Sequence, residues 1–549
     1  MNAIKKTIYG VGMMLCGVSL TSCDSFLKEY SQDLAKVTSW EDLDEVLLGD
    51  AYIKTCRIIK GNYSSEIENR DNDFDFLHFM TDEITMTEYT GHDLISYDYS
   101  VFPFYTWQQD TGTDYNLRYV GNDAGYWNTL YARINVCNMV ISLIDEQPAP
   151  TEIDEQAKRR VKGEAYFLRG LYYFMLANLY CEPYAPATSS STVGLPLKYS
   201  EVIEDKEFTR ETLEVTYLNI VNDLRLAEEN LEGTTPKSLY RAGLPAAKLL
   251  LSRVYLYMQD WTNAASMARE VLDINNRLLS LGSKTPGDAC LDASSPEVFF
   301  SMGDYFVSAL FSDDRKSMAK WRISDEMVAL YSDDDLRKDR YVGQSQYRRP
   351  NSFRKFNGQS DAWGSMNSVG SIFTFRTSEA YLILAEASAY NGDEATARTT
   401  LEKFLASRMS SKAEVSESGN DLIDFIRDER AREFLLEGHR WFDLRRYTVC
   451  QPYPWSKVIE HGYYYITEVN YQSVVDRIDW YRLEKNDGGY TLPIPRDIRN
   501  FQVSLGNSNR PPRPCYLSTH PEADDNDDDD DDWDDDWDDW DDDWDDDDW

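Results

Sequence analysis

The sequence has little of the chemistry on which most catalytic and metal centres depend. Its 549 residues include five His, none of them spaced to share a metal ion, and it contains neither HExxH nor GxSxG. No two cysteines form the CxxC pattern of zinc ribbons and thioredoxin-like sites. The sequence therefore predicts no catalytic residue, no metal ligand and no cofactor.

Basic residues are also in short supply. The chain has 56 Lys and Arg against 96 Asp and Glu, which gives a formal net charge of −40. The last residues, 524–549, hold 20 Asp and no Lys or Arg, and so carry half of that charge. An acidic chain cannot neutralise phosphates, so a nucleic-acid partner is excluded.

Long apolar runs are missing outside the N-terminus. There, Lys5 and Lys6 precede about 13 apolar residues, enough for the core of a signal peptide and too few to span a bilayer. This stretch ends in Leu20-Thr21-Ser22-Cys23, which resembles the bacterial lipobox. We expect residues 1–22 to be a lipoprotein signal peptide and Cys23 to carry acyl chains such as palmitate, which anchor the protein to a membrane.

The remaining cysteines are far apart in the sequence. Cys16 and Cys23 lie in the leader, and the other six are Cys56, Cys137, Cys181, Cys290, Cys450 and Cys515. We expect them to be mostly free thiols that pack as small apolar groups.

Several segments show helical periodicity. An apolar stripe with spacings of 4, 3, 4, 3 and 4 predicts a helix over 161–179 that is buried on most sides; its members are Val161, Ala165, Leu168, Tyr172, Met175 and Leu179. Residues 127–146 and 211–231 are predicted to form two more helices. Residues 62–126, 280–375 and 451–490 lack this period, and we expect long loops with short strands there.

One pattern occurs twice, 133 positions apart. Ala247, Leu249, Leu251, Val254, Tyr257, Asp260, Ala264 and Leu272 are matched by Ala380, Leu382, Leu384, Ala387, Tyr390, Asp393, Ala397 and Leu405. Each copy predicts a helix, a short turn and a second helix, as in tetratricopeptide hairpins. The alternative is two unrelated hairpins, and the distance between the copies argues against a regular solenoid.

A set of motifs in a fixed order resembles the SusD/RagB family of Bacteroidetes nutrient-binding lipoproteins. The matching stretches are, in order, Cys23-Asp24-Ser25-Phe26-Leu27, 127–138, Gly163-Glu164-Ala165-Tyr166-Phe167-Leu168-Arg169, 246–257, Arg376-Thr377-Ser378-Glu379-Ala380-Tyr381, 427–433, 437–446 and Leu492-Pro493-Ile494-Pro495. The resemblance implies a mostly α, SusD-like fold with tetratricopeptide-like hairpins and long irregular loops over residues 23–520. It does not cover residues 521–549, an Asp/Trp-rich tail that we expect to be disordered.

The resemblance also implies a place and a partner. Family members are expected on the cell surface, held in the outer membrane by their lipid, where they cover a TonB-dependent transporter of the SusC/RagA type. An acidic stretch soon after the lipidated cysteine favours export to the outer face.

Two charged clusters each have a structural and a functional interpretation. Glu429, Glu433 and Glu437 are spaced like a paired acid and base, but an ion-pair network at the core margin, with Trp441 and Phe442 packed inward, is the favoured interpretation. The acidic run at 333–335 is consistent with a solvated loop or helix cap, and structural calcium stays open as the alternative.

The aromatic loops are the predicted ligand site. Tyr97, Tyr99, Phe102, Phe104, Tyr105 and Trp107 crowd one segment, and Tyr305, Phe306, Phe311 and Trp321 another. Because no helical period explains these rings, we expect them to be exposed and to stack on a ligand, and packing within the loops is the alternative. The chosen contacts are Tyr105, Trp107, Tyr305 and Trp321.

These features predict a binding protein that is not an enzyme. The leading hypothesis is capture of oligosaccharides and their delivery to the transporter. A peptide-binding RagB-like protein is the nearest alternative, and a surface glycan-cleaving enzyme or a protein-binding adhesin are the others.

Overall fold

The fold comes from a computed structural model of the chain. The structure describes residues 37–53, 57–60, 65–68, 74, 76–87, 101–121, 123–202, 204–286, 288–303, 321–343, 351–356, 369, 372–469, 472–506 and 510–520. The predictions for the leader, Cys23, Tyr305 and the tail lie outside these residues.

The described residues form the following elements. The helices are α1 (Trp40–Val46), α2 (Phe76–Phe79), α3 (Gly125–Leu143), α4 (Glu152–Tyr180), α5 (Leu213–Leu231), α6 (Leu244–Tyr257), α7 (Trp261–Ile274), α8 (Asp325–Ala329), α9 (Arg337–Arg340), α10 (Thr377–Tyr390), α11 (Glu394–Leu405), α12 (Gly419–Glu433), α13 (His439–Tyr447) and α14 (Arg496–Phe501). The strands are β1 (Arg57–Lys60), β2 (Ser65–Glu68), β3 (Ile84–Met86), β4 (Val298–Phe300), β5 (Trp321–Ile323), β6 (Val342–Gly343), β7 (Ser352–Phe353), β8 (Phe375–Arg376), β9 (Ile459–Val469), β10 (Gln472–Leu483) and β11 (Leu517–Thr519).

The long helices pack in sequence as one array, and the mostly α fold is confirmed. From α3 to α7 each helix contacts the next, and α7 then contacts α10. Helix α4 begins nine residues before the apolar stripe does. Its polar first turns are set by a capping box, in which Thr151 Oγ1 accepts from Asp154 N and the Asp154 carboxylate accepts from Thr151 N.

The repeated pattern forms two matching hairpins, α6–α7 and α10–α11. Asp260 and Asp393 each cap the second helix by accepting from a backbone N–H three residues on. Gln259 and Gly392, one residue before each cap, both have positive φ. The two hairpins stack through α7 and α10, so the two copies are adjacent in space although they are far apart in sequence.

The spacing of charges over residues 427–446 suggested one helix, but the structure divides this stretch into two. Helix α12 ends at Glu433, Leu436 and Gly438 have φ of 54° and 82°, and α13 starts at His439. A Cβ on Gly438 would lie 2.7 Å from Ile372 Cγ2, so only glycine fits this turn. The turn places Glu437 in the interior rather than on a helix face.

Residues 451–490 hold longer strands than expected. β9 and β10 form an antiparallel hairpin of 11 and 12 residues, and β11 adds a third strand on the β10 side. The other described sheets are short antiparallel pairs: β1–β2, β3–β5, β4–β8 and β6–β7. Several of these tie distant loops to the helical array.

The prediction of free thiols packed as small apolar groups is confirmed for four cysteines. Cys137, Cys181, Cys290 and Cys450 are free and buried, whereas Cys515 is free and exposed. Among the described helices, none has the length and apolar character that crossing a bilayer requires.

Candidate functional site

The two aromatic-rich segments start from one small sheet. Strand β3 precedes the segment 88–100, and β5 follows the segment 304–320. The strands pair antiparallel with Met86 opposite Trp321. The strand that leads into the first segment therefore lies beside the strand that follows the second. Residues this far apart in sequence could not be joined by periodicity, and sequence reasoning missed Met86.

A third chain segment joins this sheet. Residues 101–105 form a helical turn, and the hydroxyl of Tyr105 accepts a hydrogen bond of 3.1 Å from Met86 N. Tyr105 also donates to the Gly462 carbonyl of β9 at 3.4 Å. The helical turn that follows the segment 88–100 therefore lies beside β3, the strand that precedes it.

The predicted rings stack here on a histidine that the sequence gave no reason to select. His461 lies between Tyr105 and Trp107, with ring centroids 4.1 and 4.4 Å away and the planes nearly parallel. Trp321 packs edge-on against Tyr105 and against Phe79, at 4.8 Å from each centroid. We call these five rings the aromatic base.

The aromatic base is interior, which corrects the expectation of exposure. The exposed fractions of Tyr105, Trp107 and Trp321 are 0%, 0% and 3%. Trp107 Nε1 donates to the Met80 carbonyl at 3.0 Å, which supports its left-handed backbone (φ 50°). The physical reason is packing between loops: aromatic residues without a helical period can cover one another as well as face solvent. Ligand contact by Tyr105, Trp107 and Trp321 stays a prediction. So does ligand contact by Tyr305, which lies outside the described residues.

Charged groups around the aromatic base are paired. Asp82 accepts two hydrogen bonds from Arg440, at 2.8 and 2.7 Å, and one of 2.8 Å from Lys457. Burial by itself would raise the pKa of Asp82, but Arg440 and Lys457 outweigh it and hold the pKa well below its ordinary range. An ionised, paired carboxylate cannot act as a general acid.

His461 is held as a packing group. Its Nδ1 lies 2.7 Å from the Tyr105 carbonyl oxygen and its Nε2 lies 2.9 Å from that of Thr81. Burial lowers the pKa of His461 to about 4, although both carbonyls act in the opposite direction. These contacts and the stacking hold His461 in place between Tyr105 and Trp107.

The acidic cluster at 429–437 is a buried ion-pair network, deeper than the predicted core margin. Glu433 accepts from Arg376 at 2.5 Å, from Arg408 at 2.8 Å and from Arg337 at 3.1 Å. All four side chains are fully buried, and Trp441 and Phe442 are buried as predicted. The structural interpretation of this stretch is the correct one.

The acidic run at 333–335 is engaged within the protein. Asp333 pairs with Lys338, Asp334 accepts from Ser410 and Ser411, and Asp335 pairs with Arg337. In the ranges that the structure covers, no three His, Cys, Asp or Glu side chains cluster as a metal site would require.

Comparisons with known proteins agree with this fold and order of elements. Residues 76–256 match a family model described as "Starch-binding associating with outer membrane", and residues 316–505 match one described as "SusD family". A SusD-like protein of Bacteroides ovatus is 26% identical over 179 residues. That match covers 33% of this chain and 29% of the relative, so the chain aligns with less than a third of the relative's length.

Solved structures share the fold. A SusD-like carbohydrate binding protein from Bacteroides vulgatus aligns with a TM-score of 0.63 at 19% identity, over 85% of this chain and 98% of that one. A SusD superfamily protein from Bacteroides thetaiotaomicron aligns with a TM-score of 0.61 at 20% identity, over 86% and 100%. With the two family models together matching well over half of the residues, the chain belongs to the SusD/RagB family.

Proposed function

We propose that this protein is a cell-surface lipoprotein that binds oligosaccharides and delivers them to a TonB-dependent transporter of the SusC/RagA type in the outer membrane. It performs no chemistry on its ligand. One observation carries the proposal: the pairing of Met86 with Trp321 places the strand that leads into one aromatic-rich segment beside the strand that follows the other. Sugar rings have apolar faces that stack on aromatic side chains, so two aromatic-rich segments joined to one small sheet suit a chain of sugars.

The aromatic base lies beside the strands that flank the two segments. Tyr105, Trp107 and Trp321 are buried, so we assign the ligand contacts to the rings that the segments themselves carry, Tyr97 and Tyr305 among them. A rigid base under a binding surface reduces the ordering cost of binding. The names of the related proteins, which include a starch-binding description and a carbohydrate-binding protein, point to the same class of ligand.

Calorimetric titration of the protein with a panel of oligosaccharides tests the proposal. We expect Tyr97→Ala and Tyr305→Ala each to weaken binding of the cognate glycan by roughly 5- to 150-fold, since stacking on one aromatic ring contributes about 1–3 kcal/mol. Neither change should alter the melting temperature. Tyr516→Ala is the matched control, because Tyr516 is 47% exposed on the C-terminal segment beside β10.

The same titrations separate the alternatives. Unchanged affinity in both variants would place the site elsewhere. Binding of peptides but no glycan would favour the RagB-like alternative, and shortening of the glycan in proportion to protein concentration would establish an enzyme.

A further inference from the structure

A cavity of about 370 Å³ lies away from the aromatic base. It is enclosed by three parts of the chain: helix α3, the segment 196–208, and residues 498–505 at and after α14. Small-molecule sites typically measure ~300–1,000 Å³, and this cavity is at the lower end of that range. It therefore suits one compact ring rather than an extended chain.

The cavity walls are aromatic and fixed by hydrogen bonds. Trp127 and Tyr131 stand one helical turn apart on α3 with ring centroids 4.9 Å apart, and Phe208 also lines the cavity. The Tyr131 hydroxyl donates to the Pro196 carbonyl at 2.8 Å. Gln502 Oε1 accepts from Phe208 N at 2.9 Å, which holds the C-terminal wall against the segment 196–208. The cavity is thus formed before any ligand arrives.

The polar groups of the cavity leave one positive charge without a carboxylate. Lys198 donates to Asn135 Oδ1 at 2.8 Å and to the Ser200 carbonyl. Within the described ranges Lys198 has no carboxylate oxygen within 4.0 Å, and Glu204, the acidic group of the cavity, is paired with Lys206 at 2.8 Å. Burial lowers the pKa of Lys198, and Glu204 and Glu201 act in the opposite direction. A partly desolvated ammonium gains from an anionic partner.

We infer that this cavity binds a single sugar ring that carries a carboxylate, a hexuronate, with the carboxylate on Lys198 and the ring against Trp127 and the face of Phe208 that Lys206 leaves open. The side-chain amide of Asn135 and the Glu204 carboxylate lie in the same cavity and suit the donors and acceptors of sugar hydroxyls. Among the described residues, the lining includes none of the aromatic base, so this would be a second site.

Titration of the full chain with D-glucuronate and with D-glucose, followed by ligand-observed NMR and calorimetry, tests the inference. We expect glucuronate to bind more tightly than glucose. Lys198→Met keeps the length of the side chain and removes its charge, and should weaken glucuronate binding by about tenfold or more while leaving glucose almost unchanged. Phe208→Ala should weaken both.

The control is Lys403→Met, which makes the same change of net charge at an exposed position on α11. It should leave glucuronate binding unchanged. Equal binding of the two sugars, or no effect of Lys198→Met in a variant with a normal melting curve, would overturn the inference. Tyr305→Ala should not affect this second site. Failure of this inference can therefore be distinguished from failure of the proposed function.

Discussion

Trp107 illustrates what a single residue's sequence context leaves open. It follows five other aromatic residues within eleven positions, in a stretch without helical period, and such a cluster resembles an exposed binding surface. The decisive partner is His461, more than 350 positions later, which stacks on the Trp107 ring and closes it off from solvent. Contacts between such distant residues depend on the tertiary fold and leave no local signal.

The burial of Trp107 gives a prediction opposite to that for a ligand contact. Trp107→Ala removes a fully buried indole and its hydrogen bond to Met80, and should lower the free energy of unfolding by about 3–5 kcal/mol. Chemical denaturation measures this difference.

Phe501→Ala serves as the comparison, because Phe501 is 80% exposed and should change stability by less than about 0.5 kcal/mol. A Trp107→Ala protein as stable as the wild type would mean that the ring is not part of the core.

At the scale of elements, apolar period predicted the helices well and the strands poorly. The helices expected at 127–146, 161–179 and 211–231 are observed as α3, α4 and α5, because each buries a continuous stripe. The long hairpin β9–β10 was missed, since a strand with partly buried residues on both faces has no clean alternation. The pairing of β3 with β5, which locates the proposed site, joins strands of three residues that no local pattern could identify.

The buried ion-pair network shows how short elements are held together. Glu433, at the end of α12, binds arginines from β8, α9 and the segment after α11. Breaking a buried pair by removing one charge is costly because its partners stay buried. The network therefore ties the C-terminal helices to the second hairpin.

Glu433→Gln should lower the free energy of unfolding by about 3–5 kcal/mol near pH 7. Burial would raise the pKa of Glu433, but Arg408 and Arg376 outweigh it and hold the pKa well below the ordinary 4.5. A depressed carboxyl pKa stabilises the fold fully above its ordinary value, and this contribution is lost as the pH falls through the folded-state pKa. The gap between wild type and variant should therefore narrow as the pH drops below about 4.5.

Denaturation curves at several pH values measure that gap. Glu229→Gln, an exposed carboxylate on α5, is the matched control and should change stability by less than about 0.5 kcal/mol at every pH. A gap that stays constant down to pH 3 would contradict the assignment.

At the scale of the whole molecule, composition and the order of motifs carry most of what the sequence predicts. The acidic composition predicted the absence of a nucleic-acid partner, which stays a prediction, and the order of short motifs along the chain identified the family before the comparisons did. Composition could not reveal the cavity lined by Lys198, because its walls come from segments about 300 positions apart.

The lipid anchor is the prediction on which the cellular role depends. Leu20-Thr21-Ser22-Cys23 follows a short apolar stretch, and the acyl chains on Cys23 would be the attachment to the outer membrane. Cys23→Ala should therefore release the protein from the membrane fraction and abolish incorporation of labelled palmitate. Cys515→Ala is the matched control, since it removes an exposed free thiol from the body and should leave the protein in the membrane pellet. If Cys23→Ala still pellets with membranes and still takes up label, the anchor lies elsewhere. Because the proposed role requires the protein to be held beside its transporter, release should also reduce glycan uptake by cells while leaving glycan binding by the purified protein unchanged.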